Sequence, residues 1–239
     1  HEAMELSYFG AKVLYPPSIQ PVMVKNTNLI IKNTFDPDAS GTLISDQLKC
    51  SEDTKQIAVG ISNMNNIALL TLEGSGMVGI PGISAKLFQC LSHEKINVIL
   101  ITQGSSEHSI CFGILPGEIK KAQKSVEEEF RYEIQNRQIL PLVIETNNSI
   151  IAVIGENMTN SPGVSAKMFK ALGKNGINVK AIAQGSSELN ITAVIEQVNE
   201  AKALNALHGL VQCLLRGIEL GQYGGFGGFF GQVGQQRPG

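Results

Sequence analysis

The sequence predicts an α+β protein made of two tandem β-α-β-β-α-β units with antiparallel sheets. Residues 81–107 and 162–188 align without a gap at a constant offset of 81, and 16 of the 27 positions are identical. Within each copy, short apolar runs typical of strands alternate with amphipathic helical patterns. A period of about 80 residues corresponds to a whole supersecondary unit, so we expect several small domains rather than one large one.

Composition limits the classes of function. The 239 residues are 43% hydrophobic and 17% charged, which is typical of a globular protein with a buried core. A net charge of −2, from 19 basic and 21 acidic residues, gives no reason to expect nucleic acid or a membrane surface as partner. No apolar run approaches the length of a membrane span. The chain begins with His1 rather than Met, so we expect a fragment of a longer protein.

Cysteine usage indicates a reducing compartment. The four cysteines are far apart and form no C-x-x-C pair: Cys50, Cys90, Cys111 and Cys213. Neither a metal cluster nor a disulfide framework is therefore predicted, and a cytoplasmic setting fits best.

The first 48 residues lie outside the repeat. Since proline is tolerated in the first turn of a helix, Pro16 and Pro17 indicate a helix start. From the apolar and turn-forming runs we predict a loop entering a short helix at Phe9–Pro17, a strand at Asn28–Lys32, a turn at Asp36–Gly41, a linker at 49–56 and a strand at Ile57–Ile61.

Both copies of the repeat follow one plan, in which a strand, a loop ending in Pro-Gly, a helix, two strands and a second helix succeed one another. The predicted strands are Ile67–Leu72, Val98–Ile101, Ser109–Ile114 and Leu140–Ile144 in the first copy, and Ile150–Ile154, Val179–Ile182 and Asn190–Ile195 in the second. The apolar faces of the predicted helices carry Ile83, Leu87, Cys90 and Leu91, then Ile119, Ala122, Val126 and Phe130, then Val164, Met168 and Leu172, and finally Leu204, Leu207, Val211 and Leu214. This order is ferredoxin-like, with two helices on one face of the sheet.

The loops before the first helix of each copy are candidate anion sites. They end at Pro81-Gly82 and Pro162-Gly163 and lead into a helix whose first N–H groups lack internal partners, so a carboxylate can dock there. No Gly-Lys-Ser/Thr follows, and nucleotide binding at this loop is not predicted. The alternative is that Pro-Gly only starts the helix.

Repeated amides are the other candidate site residues. Gln103 and Gln184 each follow a predicted strand in a Gln-Gly-Ser-Ser-Glu turn, and a carboxamide suits the ammonium or hydroxyl of a free amino acid. Asn97 and Asn178 open those strands and are equally consistent with turn residues. No histidine has a repeated carboxylate or cysteine partner, so the repeats favour binding over catalysis.

The repeats resemble ACT domains, which are amino-acid-sensing modules of this topology. Residues 5–45 are similar to the end of the catalytic domain of aspartate kinases, through Gly-Ala-Lys-Val-Leu-x-Pro, Lys-Asn-Thr-Phe-x-Pro and Gly-Thr-Leu-Ile. The Gln-Gly-Ser-Ser-Glu turns and the Ala203–His208 segment look like those of threonine-sensitive bifunctional aspartokinase–homoserine dehydrogenases. In those enzymes a dehydrogenase domain with a glycine-rich NAD(P) fingerprint follows, whereas the tail here carries only Gly224, Gly227 and Gly228 at imperfect spacing.

The resemblance implies roles for individual residues. Lys12 looks like the lysine that approaches the nucleotide in the kinase domain, and Gln103 and Gln184 look like the glutamines that hold threonine. Asn97, Asn178 and the backbone of Ile80, Pro81 and Gly82, with Pro162 and Gly163 in the second copy, are implied as pocket walls. The two units are expected to interlock, with Ile57–Ile61 joining the second unit's sheet, and to pair side by side in a homo-oligomer.

These expectations divide the chain into four parts. They are the C-terminal piece of an α/β kinase domain at 1–48, a first ACT domain at 55–145, a second at 146–216 that shares strand 57–61, and a glycine-rich tail at 217–239. The parent would use ATP and Mg²⁺ to phosphorylate aspartate, and NADP if a dehydrogenase is present, while the fragment itself would be inactive. It would lie in the cytoplasm, or in the plastid of a plant. The alternatives are a lysine effector, or a dimerisation module without ligand.

Overall fold

The computed structural model describes residues 2–8, 14–45, 58, 60–104 and 108–215, with the backbone alone for residues 8, 16 and 209–215. The helices are α1 (Glu2–Tyr8), α2 (Pro16–Val24), α3 (Ile83–His93), α4 (Ile119–Glu129), α5 (Arg131–Gln135), α6 (Val164–Lys174) and α7 (Glu200–Leu215). The strands are β1 (Leu29–Ile31), β2 (Thr42–Ile44), β3 (Gly60–Glu73), β4 (Leu100–Gln103), β5 (Ser109–Ile114), β6 (Val143–Ile154), β7 (Ala181–Ala183) and β8 (Asn190–Glu196).

The two units share one antiparallel sheet, with strand order β4-β5-β3-β6-β8-β7. Its centre is formed by β3 and β6, which are long enough to serve both units. Gly60–Met64 pairs with Ile150–Ile154, and the other half of β3 pairs with Val143–Glu145. The predicted interlock is therefore present, at residues 60–64, while Ile57 and Val59 lie outside the described residues. We had expected separate sheets, and the continuous central strands join them into one.

A left-handed asparagine marks the crossing point in each central strand. Asn66 has φ 56° and Asn147 has φ 58°, and the two are 81 positions apart. The register between β3 and β6 shifts between Met64 and Ile67. Asparagine tolerates this backbone region better than most residues with a side chain. The structural repeat is thus longer than the aligned segments 81–107 and 162–188, because it includes this kink in each central strand.

Backbone hydrogen bonds repeat with the same offset. Gly74 N donates to His108 O at 3.0 Å, and Gly155 N donates to Leu189 O at the same distance.

The predicted strand Ser109–Ile114 is confirmed at both ends. The last strand of the first unit was predicted at Leu140–Ile144 and begins only at Val143, because Pro141 has no N–H to give to the ladder. The strand predicted at Val98–Ile101 is β4, which lies two residues later.

Three apolar clusters form the core. One lies under α3 and α4 and includes Leu70, Leu87, Phe112 and Val126. Another lies under α6 and α7 and includes Ile151, Met168, Ile191 and Leu207. The third consists of strand residues from both units: Ile67, Leu69, Leu100, Ile150, Ala152, Ile154, Ala181 and Val194.

The third cluster explains how the sheet is shaped. Its buried members all lie on strands or their ends, on the face opposite the helices, with Leu6 of α1 packed at one side. These residues are buried because the two halves of the sheet fold toward each other, which also brings β4 and β7 into contact although they end the strand order at opposite sides. Full burial of a side chain such as Ile150 contributes about 1.5 to 3 kcal/mol.

Candidate functional site

A cleft of about 390 Å³ lies where β4 and β7 meet. Gln103, at the end of β4, and Gln184, directly after β7, both line it. The two glutamines are 81 residues apart in sequence and come together because the sheet closes on itself. Sequence reasoning predicted a pocket in each unit, and the structure instead brings the two carboxamides into one cleft.

The lining of this cleft is neutral. It consists of Ile101, Thr102, Gln103, Ile182, Ala183, Gln184, Gly185 and Asn190, and none of these described residues is ionisable. Ile101 is 50% exposed and Ile182 is 45% exposed, so the cleft offers accessible apolar surface beside its amides. Carboxamides supply both hydrogen-bond donors and acceptors. The cleft can therefore hydrogen-bond a small polar molecule and also contact a short apolar group on it.

Asn190 is a cleft residue that sequence reasoning missed. Its Nδ2 donates to Glu5 Oε2 at 2.6 Å, and its Oδ1 accepts from Thr192 Oγ1 at 3.4 Å. The counterpart of Asn190 in the first unit is Ser109, so the residue is not repeated. A search guided by the repeat had no signal that could find it.

The Pro-Gly loops lie apart from the cleft. Gly82 has φ 93° and Gly163 has φ 89°, a left-handed conformation that favours glycine directly before α3 and α6. Neither helix has a side-chain cap. Its first N–H groups form the positive end of the helix dipole, which can hold a carboxylate. Ile80, Pro81 and Gly82 are exposed, as are Pro162 and Gly163.

The other predicted residues that the structure describes do not line the cleft either. Asn97 and Asn178 are exposed at the starts of the segments that lead to β4 and β7. Lys12 and Glu107 lie outside the described residues, as does the glycine-rich tail with Gly224. Among the predicted residues that are described, Gln103 and Gln184 lie together in the cleft and the others lie on the surface.

The two cysteines whose side chains are described are not activated thiols. Burial raises the pKa of the Cys90 thiol and of the Cys111 thiol. A buried, protonated thiol is a poor nucleophile. Among the described residues, no group of three or more His, Cys, Asp or Glu could hold a metal ion. In the same part of the chain, no helix has the length and apolar character needed to cross a membrane.

The model of the ACT domain family matches residues 70–130 and 151–210, which is about half of the chain. The chain belongs to the ACT domain family. Both matches fall within the predicted unit ranges, 55–145 and 146–216, whose exact boundaries remain predictions.

Similar proteins place these ACT units in an enzyme context. The chain is 41% identical over 209 residues to bifunctional aspartokinase/homoserine dehydrogenase 1, chloroplastic, of Arabidopsis thaliana, which covers 87% of the chain but only 23% of that relative. Clostridium acetobutylicum aspartate kinase, an allosteric enzyme, is 28% identical with TM-score 0.74, and the match covers 88% of this chain and 46% of that one. The regulatory subunit of aspartate kinase from Thermus flavus is 25% identical with TM-score 0.55, over 64% of this chain and 97% of that one. The resemblance to ACT domains and aspartate kinases is confirmed.

Hydrogen bonds brace the Pro-Gly loops of both ACT units. In the first unit, Gly76 N donates to the Gln138 carbonyl at 2.8 Å. In the second unit, Asn160 N donates to Glu188 Oε2 at 2.9 Å. Glu188, with φ 54°, thus braces a loop.

Proposed function

We propose that this chain is the amino-acid-sensing regulatory region of an aspartate kinase and that threonine is its effector. One observation carries the proposal: Gln103 and Gln184, equivalent in the repeat, line one uncharged cleft. Free threonine presents an ammonium, a carboxylate and a hydroxyl, which match carboxamide donors and acceptors. Its methyl group suits the isoleucines beside them.

The parent protein would be a bifunctional aspartokinase–homoserine dehydrogenase. This inference is supported by similarity to the Arabidopsis relative, of which the chain spans about a quarter. ATP and Mg²⁺ would serve phosphoryl transfer to the side-chain carboxylate of aspartate, and NADP would serve a dehydrogenase domain. We place the protein in the cytoplasm, or in the plastid if it comes from a plant.

Regulation would act by population shift. Threonine would bind one arrangement of the paired ACT units more tightly and favour an inhibited state. A coupling of about 1 to 3 kcal/mol would change the affinity of the catalytic site roughly 5- to 150-fold.

A second copy of the chain would complete the effector sites. Val78 is 43% exposed and Ile80 is 54% exposed, next to the free N-terminus of α3. Large apolar side chains grouped on a surface favour an interface. We infer that the ACT units pair in a homo-oligomer, in which the exposed Pro-Gly loops and Asn97 or Asn178 come to line ligand pockets.

Two other candidates compete with threonine sensing. A lysine effector would bring a long cationic side chain into the cleft, where a carboxylate would be needed to pair with its charge. The described lining of the cleft contains no carboxylate. Glu188, the carboxylate of the second Gln-Gly-Ser-Ser-Glu turn, already accepts a hydrogen bond from the backbone of Asn160. A dimerisation module without ligand is favoured by the exposed Ile101 and Ile182 on the edge strands.

Calorimetric titration of the chain with threonine and with lysine tests the proposal. We expect threonine to bind, and Gln103→Ala or Gln184→Ala to weaken binding by about 1 kcal/mol, or roughly fivefold in Kd, through the loss of one hydrogen bond. Gln89→Ala, an exposed glutamine on α3, is the matched control and should have no effect. Binding of lysine alone would establish the lysine candidate, and binding of neither would establish the dimerisation module.

A further inference from the structure

Helix α1 is anchored to the second ACT unit by its acidic side chains. Glu2 Oε1 accepts a hydrogen bond from Glu156 N at 2.8 Å, and Glu5 Oε2 accepts one from Asn190 Nδ2 at 2.6 Å. These contacts join positions 154 and 185 residues apart in sequence. The segment that precedes the ACT units is therefore held on the second unit by carboxylates.

Apolar packing fixes the same helix closely against the sheet. Leu6 packs against the third apolar cluster, and Ser62 Oγ donates to the Leu6 carbonyl at 3.4 Å. A Cβ on Gly60 would lie only 2.8 Å from Leu6 Cδ2. The helix is therefore packed directly against the sheet beside its carboxylate contacts.

Asn190 belongs both to this anchor and to the cleft. Because its Oδ1 accepts from Thr192 Oγ1, its Nδ2 is the atom turned toward Glu5. An amide nitrogen carries two N–H donors, and Glu5 occupies one of them. The other donor is available to a ligand in the cleft that Asn190 lines.

Only the second ACT unit has this connection among the described residues. Ser109 stands at the equivalent position of the first unit. The first unit's Pro-Gly loop is braced by the Gln138 carbonyl, which lies between α5 and β6. In the described part of the chain, the cleft is therefore connected to α1 through Asn190 of the second unit.

We propose that Asn190 is the positioning residue through which occupancy of the cleft is passed to α1. The carboxylate of an amino acid that takes the second N–H of Asn190 lies beside the carboxylate of Glu5. Two like charges on one amide repel each other, so the ligand loosens α1 from the second unit. This inference rests on the proposed amino-acid binding and adds its route toward the preceding domain.

A ligand-free experiment tests the route by itself, with hydrogen exchange of the backbone amides of residues 2–8 in the 239-residue chain. Asn190→Asp places a carboxylate beside Glu5 without any ligand and should accelerate this exchange roughly fivefold or more. Adding Glu5→Gln should restore the original rate, because the repulsion is gone. Ser109→Asp is the matched control and should leave α1 unchanged. Unchanged exchange in Asn190→Asp, or no rescue by Glu5→Gln, would overturn the proposal.

Threonine provides the second arm. It should accelerate exchange of residues 2–8 in the wild-type chain, and not in Glu5→Gln. Because coupling is reciprocal, Glu5→Gln should also bind threonine more tightly, by about the factor by which threonine accelerates α1 exchange. Equal acceleration in both chains would contradict the route. If calorimetry detects no threonine binding at all, the proposed function fails, while the ligand-free series still decides whether Asn190 and Glu5 control α1.

Discussion

Asn66 and Asn147, which stand 81 positions apart, adopt the same left-handed backbone on neighbouring strands. Each lies where its strand passes from the sheet of one ACT unit into that of the other. This pair of kinks lets β3 and β6 serve both units, and it permits the closure that brings Gln103 and Gln184 into one cleft. The cleft thus depends on backbone conformations far from its own lining.

Valine at these kinks should destabilise the fold. A β-branched side chain in the left-handed region costs about 1 to 2 kcal/mol, so Asn66→Val or Asn147→Val should lower the free energy of unfolding by that amount. Glycine should be tolerated at both positions. Urea denaturation measures the effect, with Asn65→Val as control, since Asn65 is exposed and has an ordinary backbone. Equal losses for Asn65→Val and Asn66→Val would contradict the role of the kink.

The two cleft glutamines should not act independently. Gln103 and Gln184 line the same cleft, so a single bound ligand contacts both side chains. We expect the threonine affinities of Gln103→Ala, Gln184→Ala and the double variant to give a coupling energy of about 0.5 to 3 kcal/mol. Calorimetric titration of wild type, the two single variants and the double variant with threonine gives this double-mutant cycle. Strictly additive losses would mean that the two carboxamides belong to separate sites.

Gly74 should be intolerant of any side chain. A Cβ there would lie 2.2 Å from the Gln138 carbonyl oxygen and 2.6 Å from Ile139 Cα, which are backbone atoms that cannot turn aside. Gly74→Ala should therefore cost about 1 to 3 kcal/mol of unfolding free energy, as overpacking does. Gly117→Ala is the control, because nothing lies within 4 Å of its added Cβ. Equal urea midpoints for the two variants would contradict this prediction, because they would show that the backbone at Gln138 moves aside without cost.

Local patterns predicted much of this fold. The spacing of Leu87, Cys90 and Leu91 predicted a helix, and the Pro-Gly pair predicted where that helix begins. The apolar run at Ile150–Ile154 predicted a strand, but such a run cannot tell which surface covers its second face. That face is covered by the other half of the sheet. The two expected sheets are one because β3 and β6 pair with each other and run through both units.

The cleft was only half predictable, for a related reason. Gln103 and Gln184 carried a signal because the repeat preserved them at equivalent strand ends. Asn190 carried none, since its partner Glu5 lies 185 residues away and its counterpart is Ser109. Repetition reveals what two units share, and the connection to α1 is a property of one unit.

Stability should also depend on pH through Glu133. Burial opposes ionisation, but the hydrogen bond and charge of Lys86 Nζ, 2.8 Å from Glu133 Oε1, hold the pKa of this carboxyl below its ordinary value of 4.5. The folded state therefore favours the ionised form, and the resulting stability is present above pH 4.5 and is lost as pH falls through the lower folded-state pKa.

Glu133→Gln should cost up to about 1 kcal/mol at pH 7, and the difference from wild type should shrink as the pH falls below 4.5. Urea denaturation across this range checks the sign. Glu129→Gln serves as control, because its carboxylate is more exposed and 3.9 Å from Lys86 Nζ. A wild-type advantage that grows toward low pH would contradict this account, because it would require a pKa raised by folding.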